Sequence, residues 1–430
     1  MSNQIVININ RLGPVRDARI TLGQFMIFSG ASSLGKSYVA MLVHYVYRVL
    51  SGEEFVDFFR EKELTVGDIS RFDDTAEHEV FVIDTEELLT WIQKQARVYI
   101  CSMLSYLDAD MDVNFEFPKL PSKMCFYYRN VDSVEQDLPN FTPRGALGIN
   151  HSGTGTSFSR NMMSQMGVSL YTQVLASYMA SEFQMSYIGT TFLMPPARGA
   201  IMQVPLGSQL KVFESTPMYK EFLETFANIK AFKDVMPSTI NTDLILDGQF
   251  DEKDGELIYN YHDVSLPISA TASSIKEIAP FVLLAKIGWG RFFSTLFEEP
   301  ESHLHPEMQI AVTDVMAQMI QQGMHLQITT HSDYVLRRIN ELLYLHMIKK
   351  AWNDEDKYNE FCEKRGLDRT ITINPKVVKA YFFKAGENGL SSVVEQDLSD
   401  GIPFDTFALV LNDSLPISAD IYEQFYRIKK

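Results

Sequence analysis

An α/β fold, a sheet with helices packed on it, is what this sequence predicts, and three observations carry the prediction. Strand-like and helix-like runs alternate through the first and last thirds of the chain. The apolar run "QFMIF" leads into "GASSLGKS" (Gly30 to Ser37), which leads into the apolar "YVAMLVHYVYRVL". Two more apolar strand-like runs, "STLF" and "LQITT", stop abruptly in polar clusters at Glu298-Glu299 and at His331.

Each element has a local reason. "IVINI" and "ARITLGQFMIF" read as strands, with "RLGPVRD" as the turn between them. Tyr38 to Leu50 reads as a helix that is apolar nearly all round, hence buried. From about Ser51 to Met185 the pattern is mixed. It holds the helical "TEELLTWIQKQARVYICSMLSYL", a β-like "MCFYYRNV" and the loop-like "GINHSGTGTSFSRN". Residues 51–185 are expected to form an inserted, mostly helical subdomain. Strand character returns in "MSYIGTTFLMPPARGA" and stops at Pro195-Pro196. "STPMYKEFLETFANIKAFKDV" is a helix, and "TDLILDGQFDEKDGELIYNYHDVSLPI" reads as strands about the turn "DEKDG". A helix from about Ser273 to Gly288 precedes the acidic strand. The helix after that strand has Pro306 in its first turn and Gly323 as its stop.

Composition sets limits. The chain has 430 residues, 46% of them hydrophobic, which is ample for a core and for two or three domains or one domain with insertions. The formal net charge of -17 makes the surface as a whole repel phosphate backbones, although a local basic patch is compatible with it. Cys101, Cys125 and Cys362 are far apart and form no CxxC, so neither a zinc knuckle nor a disulfide framework is expected. "MSNQIVININ" lacks the layout of a signal peptide, and a cytoplasmic setting is expected. The longest apolar stretch, "IAPFVLLAKIGWGRFFSTLF", is broken by Lys286 and Arg291 and reads as a buried helix followed by a strand, with no membrane partner.

The chemistry-bearing motif is Gly30-x4-Gly35-Lys36-Ser37, a complete phosphate-binding loop set between a strand and a helix. Glycine lets backbone N–H groups approach a phosphate, and the helix that follows turns its positive end toward the anion. The pattern assigns Gly30, Ser33, Gly35, Lys36, Ser37 and Tyr38 to a nucleotide, with Lys36 on the β/γ-phosphates and Ser37 offering an oxygen to Mg²⁺. Adjacent carboxylates at a strand end can serve the metal and the attacking water, so Glu298 is assigned to the metal and Glu299 to the water. His331, one helix later at the next strand end, is assigned to the γ-phosphate. Ser332 or Asp333 reads as the cap of the following helix. His303 and His305 lack a third ligand and read as turn residues. Ser273 and Ser274 open a helix. They either offer hydroxyls and free N–H groups to an anion or form a plain helix start with Glu277 in the first turn.

Taken in order, "GASSLGKS", "ASSIKEIAPFVLL", "FEEPESHLHP" and "ITTHSDYVL" resemble the Walker A, degenerate signature, Walker B with D-loop, and switch-histidine segments of the ABC-type ATPase superfamily. More closely, they resemble the stand-alone ATP-binding proteins grouped as AAA-15/AAA-21, in the neighbourhood of the OLD, RecF/Rad50 and SMC proteins. "LMPPARGA" resembles that group's strand end with a PaxR sequence, which makes Arg198 a candidate near the phosphates. The resemblance covers roughly residues 1–50 and 188–345. It implies an ABC-type core of residues 1–50 and 186–430, interrupted by the insertion.

Glu298 stands where the Walker B segment usually has Asp, although close relatives also show Glu, and the signature lacks the glycines of LSGGQ. No Q-loop glutamine or adenine-facing aromatic residue is placed. The resemblance implies a composite site, closed on the γ-phosphate by a second copy's signature helix and giving Ser273 and Ser274 the anion role. It also implies a head-to-tail dimer or larger assembly that depends on ATP. Asp354 to Asp356 lie in a polar stretch and not at a strand end, so no nuclease is expected in this chain. Relatives of this type include ATPase subunits of bacterial phage-defence systems. The expectation is therefore a slow ATPase that acts as sensor to a separately encoded nuclease or toxin. The alternative is a RecF/Rad50-like DNA-maintenance ATPase that binds nucleic acid.

Overall fold

The computed structural model describes residues 4–64, 76–105, 110–131, 144–150, 155–159, 167–204, 216–232, 238–253, 255–288 and 290–403. The chain opens with β1 (Val6–Leu12), β2 (Val15–Thr21) and β3 (Phe25–Gly30), followed by α1 (Lys36–Ser51) and α2 (Phe55–Glu61). Where the sequence suggested one strand over 18–28, there are two, broken at Gly23, and the first turn tightens to Gly13-Pro14. β4 (His78–Asp84), α3 (Thr85–Met103), β5 (Met111–Glu116), β6 (Lys123–Val131), β7 (Arg144–Ile149), β8 (Gly155–Ser159) and α4 (Ser169–Glu182) come next. β9 (Thr190–Met194), the single turn α5 (Arg198–Ile201), α6 (Pro217–Phe232), β10 (Gln249–Lys253), β11 (Glu256–Tyr261) and β12 (Val264–Pro267) lead to α7 (Ser273–Ala285). The last third runs β13 (Phe293–Glu298), α8 (Pro306–Gln321), β14 (His325–Thr330), α9 (Asp333–Trp352), α10 (Glu355–Glu363), β15 (Val378–Ala385) and β16 (Ser391–Glu395).

Nine strands form one mixed sheet in the order β5-β1-β2-β16-β15-β3-β14-β13-β9. Its half from β15 to β9 is parallel throughout. β1 pairs antiparallel with β2 and with β5. Alternation along β3 explains the layering. Met26 and Phe28 face a core shared with α1, whereas Phe25 and Ile27 face a second core shared with α7, α8 and α9. α1 is buried almost all round, as its sequence suggested, because it lies between the sheet and the helices α3 and α4. Gly52, at φ 87°, closes it with an N–H bond to the Val49 carbonyl.

The segment 51–185 differs from the expected mostly helical subdomain. The expected helices are present, but so is a four-stranded antiparallel sheet, β4-β6-β7-β8, and β5 joins the edge of the main sheet. Its apolar residues, among them Phe59, Phe126 and Tyr171, merge with the core around α1. Part of the Gly/Ser/Thr-rich stretch read as loop is strand, in β7 and β8, Asn150 is a turn residue, and the rest of it lies outside the described residues. No described helix is long and apolar enough to cross a membrane.

Candidate functional site

The parallel strands bring the chemistry-bearing residues to one edge. β3 ends in the phosphate loop, β14 lies beside it and ends before His331, and β13 lies beside β14 and ends in Glu298. All six residues in each of these strands are buried, so the polar ends are held by a rigid base. Ligands of open α/β sheets bind outside the carboxyl ends of the strands.

The loop has the backbone its glycines allow. Gly30 sits at φ 134°, and a Cβ there would come within 2.5 Å of the Phe383 carbonyl oxygen of β15. Gly35 sits at φ 90°, and its Cβ would meet Val15 at 2.7 Å. Ser33 also takes a left-handed φ, 64°, at the exposed crest of the loop. Lys36 reaches back across the loop, and its ammonium donates to the carbonyls of Gly30 at 3.1 Å and Ala31 at 2.8 Å. Burial pulls that ammonium down to about 8, while Glu299, Glu301 and Glu298 act to keep it charged. Ser391 steadies the crest from outside by donating to the Leu34 carbonyl at 2.7 Å. The ring of Tyr38 packs against Gly13, so this residue has its backbone N–H, near the helix start, to offer a phosphate.

The Ser37 hydroxyl donates a short hydrogen bond to Oε2 of Glu298. Glu298 is 1% exposed, and its other oxygen, Oε1, is buried without a partner. Burial and the neighbouring Glu299 push the carboxyl up to about 7, against the Ser37 bond, which favours the ion. A buried oxygen lacking a partner beside a hydroxyl and a carboxylate fits a hard cation, and these two side chains are the ones that would hold Mg²⁺. Glu299 is more exposed and sits at φ 45°. Its N–H donates to the Thr329 carbonyl at 3.0 Å, and its carboxylate accepts from the Ser302 hydroxyl at 3.1 Å. His331 Nε2 lies 4.0 Å from Glu299 Oε1. Burial and the Lys36 charge lower the His331 pKa, which keeps the ring neutral at pH 7.

Arg198 is placed differently from the expectation. It is fully buried and does not reach out toward a phosphate. Its guanidinium donates to the carbonyls of Glu277 (2.9 Å), Pro195 (3.0 Å), Glu298 (2.9 Å) and Glu299 (3.4 Å). It also pairs with the Glu277 carboxylate at 3.5 Å and lies over the Phe297 ring at 4.5 Å. Arg198 is thus a clamp beneath the two glutamates that ties their backbone to α7. Glu277, read in the sequence as a first-turn residue, is its buried counter-charge and also accepts from the Gly199 N–H at 2.6 Å.

Ser273 is exposed and Ser274 half-exposed at the start of α7. Ala272 precedes them and provides no side-chain cap, so the helix start keeps its free N–H groups. No bond joins these serines to the phosphate loop among the described residues. Ser332 caps α9, accepting from the N–H groups of Tyr334 and Val335. His303 and His305 are exposed on the turn after β13, and Asp354 caps α10 by accepting from Lys357 N–H.

Residues 202–336 match the AAA ATPase domain family, AAA_15. The matched stretch spans α7, β13 and β14 and begins after the phosphate loop. No curated protein matches. Three solved structures are similar at a distance. One is an SMC head bound to the C-winged helix domain of ScpA, at 12% identity over 92% of this chain and 98% of that one, with a TM-score of 0.37. The SMC head domain from Thermotoga maritima is 9% identical over 92% and 100% of the two chains, with a TM-score of 0.34. The third, a Smc head domain with an extended coiled coil bound to the C-terminal domain of ScpA, derived from Pyrococcus furiosus, is 11% identical over 98% and 99%, with a TM-score of 0.33. The fold is a large mixed α/β sheet flanked by helices, in which the strand that leads to His331 separates the phosphate-loop strand from the acidic strand.

Proposed function

We infer, from a complete phosphate-binding loop, the acidic strand end that meets it and a segment that matches an AAA ATPase domain family, that this chain is an ABC-type ATPase that binds ATP with Mg²⁺, hydrolyses it slowly and uses it to switch an assembly. One observation carries the reading. The Ser37 hydroxyl and the buried Glu298 carboxylate, 261 positions apart in sequence, meet directly, and Glu298 keeps one oxygen free. A structural pair has no need of a buried acid pushed up to about 7, whereas a cation offsets that cost.

Each side chain then has a task. The loop N–H groups and Lys36 bind and orient the phosphates. Ser37 and Glu298 hold the metal, which when bound supplies charge neutralisation at the β/γ-phosphate oxygens. Glu299, steadied by Ser302, orients the attacking water and accepts its proton. Neutral His331 can donate to a γ-phosphate oxygen. Ser273 and Ser274 act on a second copy's nucleotide, in a head-to-tail dimer or larger assembly. The γ-phosphate then selects the closed state through contacts absent after hydrolysis.

In the cell, the reading is of a cytoplasmic sensor or regulatory subunit in a bacterial antiviral or toxin-partner system, acting on a separately encoded nuclease or toxin. Nucleic-acid binding of the RecF/Rad50 kind is the alternative, and the charge of -17 weighs against it. The test is Glu299→Gln. The variant should bind ATP, release phosphate at least about 100-fold more slowly and accumulate in the ATP-dependent assembled form. Unchanged turnover removes Glu299 from its task. ATP-stimulated binding to DNA, weakening with salt, would favour the alternative.

A further inference from the structure

Glu301 has no task in the scheme above, yet it is bonded to the residue that has one of the most exacting. It lies in the turn that leaves β13, three positions beyond the last residue of the strand. The ladder between β13 and β14 ends at the pair Glu298 and Thr329. Beyond it the two strand ends are free to part, and the Glu301 carboxylate spans the opening. Its Oε1 accepts from the His331 backbone N–H at 2.6 Å and from the Thr330 hydroxyl at 3.0 Å. The Thr330 hydroxyl in turn accepts from Ser332 N–H at 3.0 Å, so three consecutive residues are fixed through one carboxylate. The His331 ring meets the Gly30 backbone carbonyl on one side and lies 4.0 Å from its nearest acid, Glu299, with its side chain 32% exposed. Whether the ring can keep both neighbours depends on where its own backbone is held, and a misplacement of about 1 Å can cost on the order of 100-fold in rate.

We propose that Glu301 is a positioning residue whose carboxylate sets the His331 backbone, and through it the distance of the imidazole from Glu299 and from the phosphate loop. The proposal rests on the reading of His331 as a phosphate-facing group. It is specific about chemistry: what is needed is an acceptor oxygen at the end of a three-carbon arm, and not a negative charge. Glutamine supplies that oxygen and alanine does not.

The experiment uses the full chain with ¹³C-labelled histidine and compares Glu301→Gln with Glu301→Ala. The His331 resonance is identified by its loss in His331→Gln, and its titration is followed without nucleotide. Glu301→Gln should leave the His331 shift and titration near those of the parent and phosphate release within about threefold. Glu301→Ala should move both shift and titration and lower kcat at least about tenfold, with ATP affinity within about twofold. If Glu301→Ala does not fold, Thr330→Val, which removes one of the two donors, should give a smaller movement of the same sign. An unchanged His331 titration in Glu301→Ala, or in Thr330→Val when that variant stands in, overturns the proposal. So does equal damage from Gln and Ala, which would make charge the cause. A parent that releases no phosphate defeats the hydrolysis reading alone, because the histidine titration still decides the positioning.

Discussion

At the phosphate loop, Lys36 holds the loop's own carbonyls, Ser37 holds Glu298, and His331 sits beside Glu299, all within a single chain. At the start of α7, Ser273 and Ser274 are open to solvent and bonded to none of these. The two regions are nevertheless joined underneath, since Arg198 grips both Glu277 of α7 and the carbonyls of Glu298 and Glu299. One region is thus complete and polar within a buried frame, and the other is presented outward on a helix fixed to the same frame. The difference teaches that nucleotide binding should belong to the single chain, while hydrolysis should depend on what meets α7. Each experiment below attacks one side of that division.

The largest effect should come from the inner region. Lys36→Ala removes a buried ammonium that no neighbour can replace. Two charge-assisted bonds to phosphate should be lost, about 4 kcal/mol together, or roughly a thousandfold in Kd. Calorimetry with ATP and Mg²⁺ measures it, and full retention of affinity would count against the cradle.

Next in size is the pH response of Glu298. Burial raises its carboxyl from 4.5 to about 7. The stability that the bound proton gives the folded chain is fully present below about 4.5 and is lost as pH rises through about 7, about 3 kcal/mol over that span. A magnesium nucleotide favours the ionised carboxylate, so its own stabilising effect should grow over the same window. Thermal melts should show a Tm increment from Mg²⁺ with a non-hydrolysable ATP analogue that is a few degrees larger at pH 8 than at pH 6. Glu298→Gln should flatten the difference, and a parent increment independent of pH would separate Glu298 from the metal.

How much of this was legible in the sequence follows the same division. The phosphate loop is contiguous, and its chemistry depends on backbone shape that glycines at fixed spacing announce. The strand-end positions of Glu298, Glu299 and His331 were legible because an apolar run that stops in polar residues marks the end of a buried strand. Arg198 was misread because a sequence shows a charge and not its burial; its partners Glu277, Glu298 and Glu299 lie 79 to 101 positions away. The Glu301 bond was hidden for the same reason, 30 positions from His331. The second sheet was missed because only β6 carries a dense aromatic run. β7 and β8 are short and glycine-bearing, and pairing across the hairpins, not local propensity, makes them strands.

The smallest effect per chain, and the sharpest test of the division, lies at α7. Changing Ser273 and Ser274 together to Ala should leave the affinity of an isolated chain for ATP within about twofold, because neither touches the loop. Phosphate release should fall about tenfold, and the ATP-dependent assembly should weaken, if the serines close on a neighbour's nucleotide. Mixing supplies the discriminating result. Chains with Lys36→Ala bind no nucleotide but keep intact serines; chains with both serines changed bind nucleotide but lack the closing helix. Neither should turn over alone at more than a small fraction of the parent rate. Together they can form one complete site per pair, and the mixture should regain up to roughly a quarter of parental turnover, rising with protein concentration. Such a gain cannot arise within a single chain. A mixture no more active than the average of its parts would return Ser273 and Ser274 to the plain helix start that their residue types also allow.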